Sequence, residues 1–417
     1  MTVSAAATAN SDPSTLARLE QLGAVEYPTR RDEAWRYAPH DVLGRLSFGP
    51  PSVSVESMPS AVDDQIPALD GPRIVIVNGV VDDAESDLAA LPDGLRLSAG
   101  ADASNDPAEL VAAHFDPDVG PVDDAFVALN RRFGVNGAFV DVAEGHRLDA
   151  PIHIVDVAIP DETQNTSCTG AVIHIGEDSS ATIVETRIGV GEAFGGLNTR
   201  TTITLGDNAT LEHIVLQDMP STQVHLSRVE VTQRAGSVFR ARSFNLGAFY
   251  GRVTYDVHLA GVGARADLSG LYYGAGEQTL DQQITVIHSA KDCTSRQSYR
   301  GVLDDESTGV FNGGIDVRPG ADGTDAEQSN DNLLLSNRAE ANTQPRLEIL
   351  ADDVACKHGA TVGRLDDTAL YYLRTRGISA ADARRLLINA FAERAVDDIG
   401  IDVLQRWIRD RLGGSDA

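Results

Sequence analysis

The chain has 417 residues, 42% of them hydrophobic and 23% charged, which is the make-up of a globular protein with room for two or three packed units. A net charge of −28 repels phosphate backbones and anionic membrane surfaces, so nucleic-acid binding and a peripheral membrane role are both disfavoured. Cys168, Cys293 and Cys356 are odd in number, far apart and without a CxxC pair, which excludes a disulfide framework and a self-contained zinc or cluster motif.

The first residues carry no basic n-region and no long apolar run, so no secretory signal is expected. No apolar run approaches the roughly 20 residues that cross a bilayer, and a reducing cytoplasm is the expected location. The opening dozen residues, rich in Ala, Ser and Thr, read as disordered. After Pro13, Leu16, Leu19 and Leu22 share one face of a short helix. A second helix is expected from Glu33 to Leu46, followed by a Pro-, Ser- and Asp-rich linker from Phe48 to Pro72. Ile74 to Val81 reads as a tight hairpin with Asn78-Gly79 in a type I′ turn. Helical spacing returns at Pro107 to Phe115 and Asp123 to Phe133, so residues 1–130 read as a mainly helical N-terminal unit.

From about residue 136 to 350 short alternating strands are separated by Gly, Asp, Asn and Ser. Strand ends recur at Ile173-x-Ile175, Ile203-x-Leu205, Val229-x-Val231, Val257-x-Leu259 and Ile284-x-Val286. Aligned on their last residues, these pairs lie 30, 26, 28 and 27 apart. Recurrence on that scale without helices between points to a solenoid, although the pattern alone leaves an antiparallel sandwich open. His153, His174, His213, His225, His258 and His288 alternate with apolar residues and are expected to face solvent or fill ordinary hydrogen-bonded positions.

Past Gly363 the pattern turns helical. Asp366 or Asp367 caps a helix through Leu370 and Leu373 that ends at Gly377, and Ser379-Ala-Ala-Asp382 approximates a capping box. Ala383, Leu386, Leu387, Ala390, Phe391 and Ala395 then keep helical spacing, as do Val403, Leu404, Trp407, Ile408 and Leu412 in a last helix. Such stripes are more often core than interface, yet a tryptophan on a short terminal helix is a common interface anchor.

The chemistry concentrates in Ala351-Asp-Asp-Val-Ala-Cys-Lys-His-Gly-Ala-Thr-Val-Gly-Arg-Leu-Asp366. On a strand, the Cys356 thiol and the His358 imidazole share one face, with Lys357 on the other. Sulfur and nitrogen donors of this kind serve iron–sulfur and zinc sites, which take about four donors, so two cannot complete one. On chemistry alone a buried thiol and a hydrogen-bonded imidazole are the commoner outcome. No Walker A loop, dinucleotide fingerprint, G-x-S-x-G elbow or H-E-x-x-H pair occurs, and the Asp304-Asp305 and Asp352-Asp353 pairs read as turn formers rather than glycosidase carboxylates.

The same region carries a family resemblance. Leu333 to Ile349, running through Leu350 into Ala351 to Gly363, and then Leu370 to Ile378, resembles the C-terminal core of the SufB/SufD family, scaffold subunits of the SUF iron–sulfur cluster assembly system. The likeness runs from Gly309 to Phe391. Pro28-Thr-Arg-Arg-Asp-Glu-Ala-Trp-Arg-Tyr37 and the stretch from Ala128-Leu-Asn130 to Pro151-Ile152 resemble the SufD branch, whereas residues 45 to 120 match weakly. The resemblance implies a mainly β fold: a right-handed parallel β-helix over 131–363, flanked by the N-terminal helical region and a helical domain at 364–417. It implies a non-catalytic scaffold that meets a SufB-like subunit through the β-helix. A SufC-like ATPase would dock on the C-terminal helices at Leu386, Leu387, Phe391 and Trp407, and its ATP hydrolysis would open the interface where a cluster is built. His358 matches the family's interface histidine and is the first choice for a cluster or iron ligand, with Cys356 second. The cluster would be transient and shared, with none held stably by this chain alone. A SufB-like principal scaffold would need further cysteines able to receive sulfur. A β-helix polysaccharide enzyme would need secretion and catalytic clusters along one groove. A non-catalytic interaction protein without metal is a third alternative.

Overall fold

The computed structural model describes residues 27–51, 62, 65–89, 91–99, 114, 124–134, 136–160 and 165–413. The expected disordered start, the Leu16–Leu22 helix, nearly all of the Pro107–Phe115 helix and much of the 48–72 linker lie outside them.

Three strands come early: β1 (Arg73–Val77), β2 (Val80–Val81) and β3 (Leu95–Ala99). Then follow β4 (Gly137–Val142), β5 (Ile152–Ala158), β6 (Thr166–Ile175), β7 (Ser180–Gly189), β8 (Gly195–Leu205), β9 (Thr210–Asp218), β10 (Gln223–Gln233) and β11 (Val238–Asn245). The remainder are β12 (Tyr250–Leu259), β13 (Arg265–Gly274), β14 (Thr279–His288), β15 (Thr294–Leu303), β16 (Thr308–Val317), β17 (Thr324–Leu334), β18 (Glu340–Ile349) and β19 (Val354–Arg364). Odd-numbered strands from β5 to β19 extend one sheet from β1 and β2, and even-numbered strands from β4 to β18 extend a second from β3. Neighbours pair in parallel except β1 with β2 and β3 with β4. Each coil adds one strand to each sheet, and the stack is a parallel β-solenoid. The sheets reach back to residue 73, so the first 130 residues supply three strands as well as helices.

The coils form because the same corner recurs. Asp178, Asn208, Gly236, Gly263, Asp292 and Gly323 all have positive φ, the left-handed conformation that Gly, Asn and Asp adopt at least cost. The hairpin turn obeys the same rule, with Asn78 at φ 49° and Gly79 at 77°. Between corners, alternate residues turn inward. The apolar column is Ile173, Ile203, Val231, Val257 and Val286. Alignment on the last residue of each strand-end pair therefore slips: Val231 sits beside Ile203, not Leu205, because coil lengths differ.

Helices cover the outside. The expected Glu33–Leu46 helix is broken into a single 3-10 turn at Glu33–Trp35 and a short α1 (His40–Leu43), as Pro39 has no N–H to continue a helix. In α2 (Ala125–Phe133), Asp124 caps the Phe126 and Val127 amides. At the far end come α3 (Asp367–Thr375), α4 (Ala380–Asp397) and α5 (Asp402–Gly413). Asp366 and Ser379 cap α3 and α4 as their sequences suggest. Ile388, Ala392, Ala395, Val396, Leu404 and Ile408 bury against Val184, Ile214, Leu216, Phe244 and Leu271 on the outer face of the odd-numbered sheet. No helix among the described residues is long and apolar enough to cross a membrane.

Candidate functional site

The last rung of the solenoid is its open end. Among the described residues β18 pairs only with β16, and β19 only with β17, so each presents one unpaired edge. Most of β19 is exposed, and Ile349, Leu350 and Val362 expose apolar side chains there. In register, Cys356 stands beside Ala326 and His358 beside Gln328, both of which are buried in the interior. Cys356 and His358 thus belong to the inward face of the stack, and no further coil among the described residues covers them. Cys356 is half-buried against Ile315, Val317, Ala321 and Ala326, and burial raises its thiol pKa, favouring the protonated form. The His358 side is exposed. Lys357 points the other way, with its ammonium 3.0 Å from the Glu327 carboxylate.

Among the described residues no group of three or more His, Cys, Asp or Glu side chains is arranged to hold a metal ion. Among the described residues, no third such side chain joins Cys356 and His358 at the open end. Cys168 and Cys293 are buried in the walls, their thiols directed at the carbonyls of Leu129 and Gly261.

The four side chains expected on a partner-facing surface separate. Leu386 is 49% exposed, while Leu387 and Phe391 are half-buried. Trp407 is a correction: it is buried, its indole Nε1 donates to the Gln65 carbonyl at 2.7 Å, and Arg411 stacks 3.5 Å from its ring. It fastens α5 to the chain's own body. Sequence reasoning also passed over Tyr371 and Tyr372, the most exposed aromatics on α3, whose adjacency on a short helix means one helical face cannot bury both.

The Pro28–Tyr37 motif has a structural purpose. Trp35 stacks on the Arg252 guanidinium at 3.8 Å, and Arg252 donates to the Ala34 carbonyl and to Asp281, each at 2.7 Å. Gln344 on β18 donates to Glu33, which brings the motif to the open end.

A polar constellation inside the solenoid was not legible beforehand. Glu185 accepts from Arg187 and meets His213 Nε2 at 2.7 Å, all three fully buried. Burial alone would raise the Glu185 pKa, but the Arg187 charge and His213 hold it below the usual carboxylate range. Nearby, burial pushes Asp156 up to about 7. Of the strand histidines, His153, His213 and His288 are buried with hydrogen-bond partners, and His174 and His258 bond Asp141 and Ser289 in more open positions. His225 is buried without a partner among the described residues, against expectation.

Residues 158–391 match the family model for the SUF system FeS cluster assembly SufBD core domain, and residues 15–154 match that for the SufBD protein N-terminal region. The chain belongs to the SufBD family. Iron-sulfur cluster assembly protein SufD of Escherichia coli is 30% identical over 403 residues, covering 96% of this chain and 92% of that one. A SufBD family protein of Synechocystis is 27% identical over 93% of this chain and 87% of its own length. SufD of Bacillus subtilis is 30% identical over 73% of this chain and 70% of its own. This SufBD-family chain is thus an iron–sulfur cluster assembly protein homologous to SufD. The N-terminal match also spans residues 45 to 120, where the sequence resemblance itself carried little.

Proposed function

We propose that this chain is a SufD-like, non-catalytic scaffold subunit whose open solenoid end meets a SufB-like subunit. There the two would build an iron–sulfur cluster as cargo in the cytoplasm. The observation that carries this reading is the position of Cys356 and His358: inward donors on a terminal, half-paired strand, two where about four are needed. A second polypeptide with its own donors would complete the set. His358 is the first ligand because its ring is exposed, whereas the Cys356 thiol is half-buried and held protonated.

A SufC-like ATPase would engage the C-terminal helices at Leu386, with Leu387 and Phe391 beneath it; Tyr371 and Tyr372 extend that surface. β19 ends at Arg364 and α3 begins at Asp367, so a pull on the helices would reach the donor strand through two residues. ATP hydrolysis would belong to that partner.

The test is His358→Ala in the co-expressed three-protein complex, with iron and acid-labile sulfide measured after anaerobic purification. A severalfold loss of cluster is expected. An unchanged yield would remove His358 from the site.

A further inference from the structure

Three register partners run toward the open end along one inward column: Gln297 on β15, Gln328 on β17 and His358 on β19. Gln297 Nε2 donates to the Gly314 backbone carbonyl at 3.1 Å. A carbonyl only accepts, so this contact fixes which end of the Gln297 amide is which. Gln297 Oε1 then accepts from Gln328 Nε2 at 2.7 Å. The Gln328 amide lies over Gly313, where a Cβ would come within 2.0 Å of Nε2, so the glycine makes room for this orientation. With its NH2 end turned toward Gln297, Gln328 directs its carbonyl away from that rung. Gln328 Oε1 is buried and accepts from no group among the described residues. Leaving such an acceptor unpaired is costly.

We propose that Gln328 is a positioning residue whose amide carbonyl accepts a ring N–H of His358 and so selects the imidazole nitrogen that keeps its lone pair. The last consequence, a lone pair presented to iron, rests on the proposed function; the hydrogen bond does not. Metal-binding imidazoles commonly have their tautomer set by a partner of this kind. The relay Gly314–Gln297–Gln328 would transmit the polarity of a backbone carbonyl to the exposed ring. The rival donors are the Thr343 hydroxyl, Gln282 Nε2 and the Tyr299 hydroxyl, which are also buried and unpartnered among the described residues. Thr343 and Gln282 stand in register with Phe311 on the facing sheet, which the Gln328 amide reaches at Gly313, whereas His358 is the register neighbour of Gln328 within its own sheet, where strands lie about 4.8 Å apart.

The test uses the full-length chain labelled with 15N-histidine, at a pH where the ring is neutral. His358 resonances are assigned by their loss in His358→Gln, and the ring-nitrogen shifts give the tautomer ratio. The wild-type ratio should be biased on the order of fivefold beyond that of a free imidazole, as one net hydrogen bond implies. Gln328→Leu should abolish the bias, and Gln328→Glu, which keeps an acceptor, should retain it. If Gln328→Leu does not fold, Gln297→Leu reads the same effect from one rung further in and should reduce the bias. A ratio that responds to neither leucine variant overturns the proposal. A ratio that responds while His358→Ala leaves cluster yield intact would keep the hydrogen bond and sink the ligand assignment.

Discussion

His153 and His288 sit inside a structure that resists charging them. Burial lowers the His153 pKa to about 3, with Arg73 adding to the effect, and lowers that of His288 to about 4. Below the ordinary imidazole value of 6.5 the unfolded chain takes up protons that the folded chain refuses, so stability falls as pH falls. Asp156 acts in the opposite sense: its raised pKa lets the folded state hold a proton more readily than the unfolded one between 3.8 and about 7. A variant comparison isolates the histidine. His153→Gln is expected to shrink the stability lost between pH 7 and pH 5 by about 2 kcal/mol, read from urea midpoints at both pH values. An unchanged loss would mean that the folded state protonates the ring freely. Arg187 gives a second residue-scale prediction. Its removal strands the buried Glu185 charge, so Arg187→Leu should cost about 3–5 kcal/mol in denaturant unfolding. The double variant with Glu185→Leu should recover part of that loss, and a double variant no better than the single would deny that the pair is coupled.

At the scale of elements, Trp407 and Leu386 part company. Trp407→Ala empties a buried site between α5 and the body of the chain, and should destabilise by about 3–5 kcal/mol. Leu386→Ala on half-exposed ground should change stability by no more than about 0.5 kcal/mol, yet weaken retention of a co-expressed ATPase subunit on an affinity column. Equal retention by Leu386→Ala and wild type would exclude that face. The same elements show what could be read in advance. Corners were legible because Asp178, Asn208, Gly236 and Gly263 suit a left-handed turn, and caps because Ser379 and the Asp366-Asp367 pair offer acceptor side chains, of which Asp366 is the one used. Register was not, since Ile203-x-Leu205 and Val229-x-Val231 fit each other in two alignments. Nor was the inward direction of Glu185 and Arg187, because a period of two does not say which face is inside when both carry polar groups. That Cys356 and His358 share a face was legible because i and i+2 do so whatever the register. That their strand is the last of its sheet depends on the whole stack.

For the whole molecule, the open end is the feature that the fold leaves unfinished. Among the described residues two sheets stop there with unpaired edges, and such edges invite pairing with another chain unless they are shielded. β18 carries Pro345, which a terminal strand tolerates, but β19 carries no proline, and no strand among the described residues pairs with its outer edge. Ile349, Leu350 and Val362 add apolar surface beside Cys356 and His358. A second solenoid docked there would bury these side chains and exclude water from the donors at once. Val362 lies 50% exposed on the same face of β19 as His358, so a lysine there is solvated in the free chain and stripped of water in a complex. Val362→Lys should therefore leave the free chain's melting temperature and circular dichroism unchanged, while weakening association with the SufB-like subunit on the order of tenfold or more in a titration followed by size-exclusion chromatography. Undiminished association would place the contact on some other surface, and the two donors on β19 would then lose the neighbour on which a shared cluster depends.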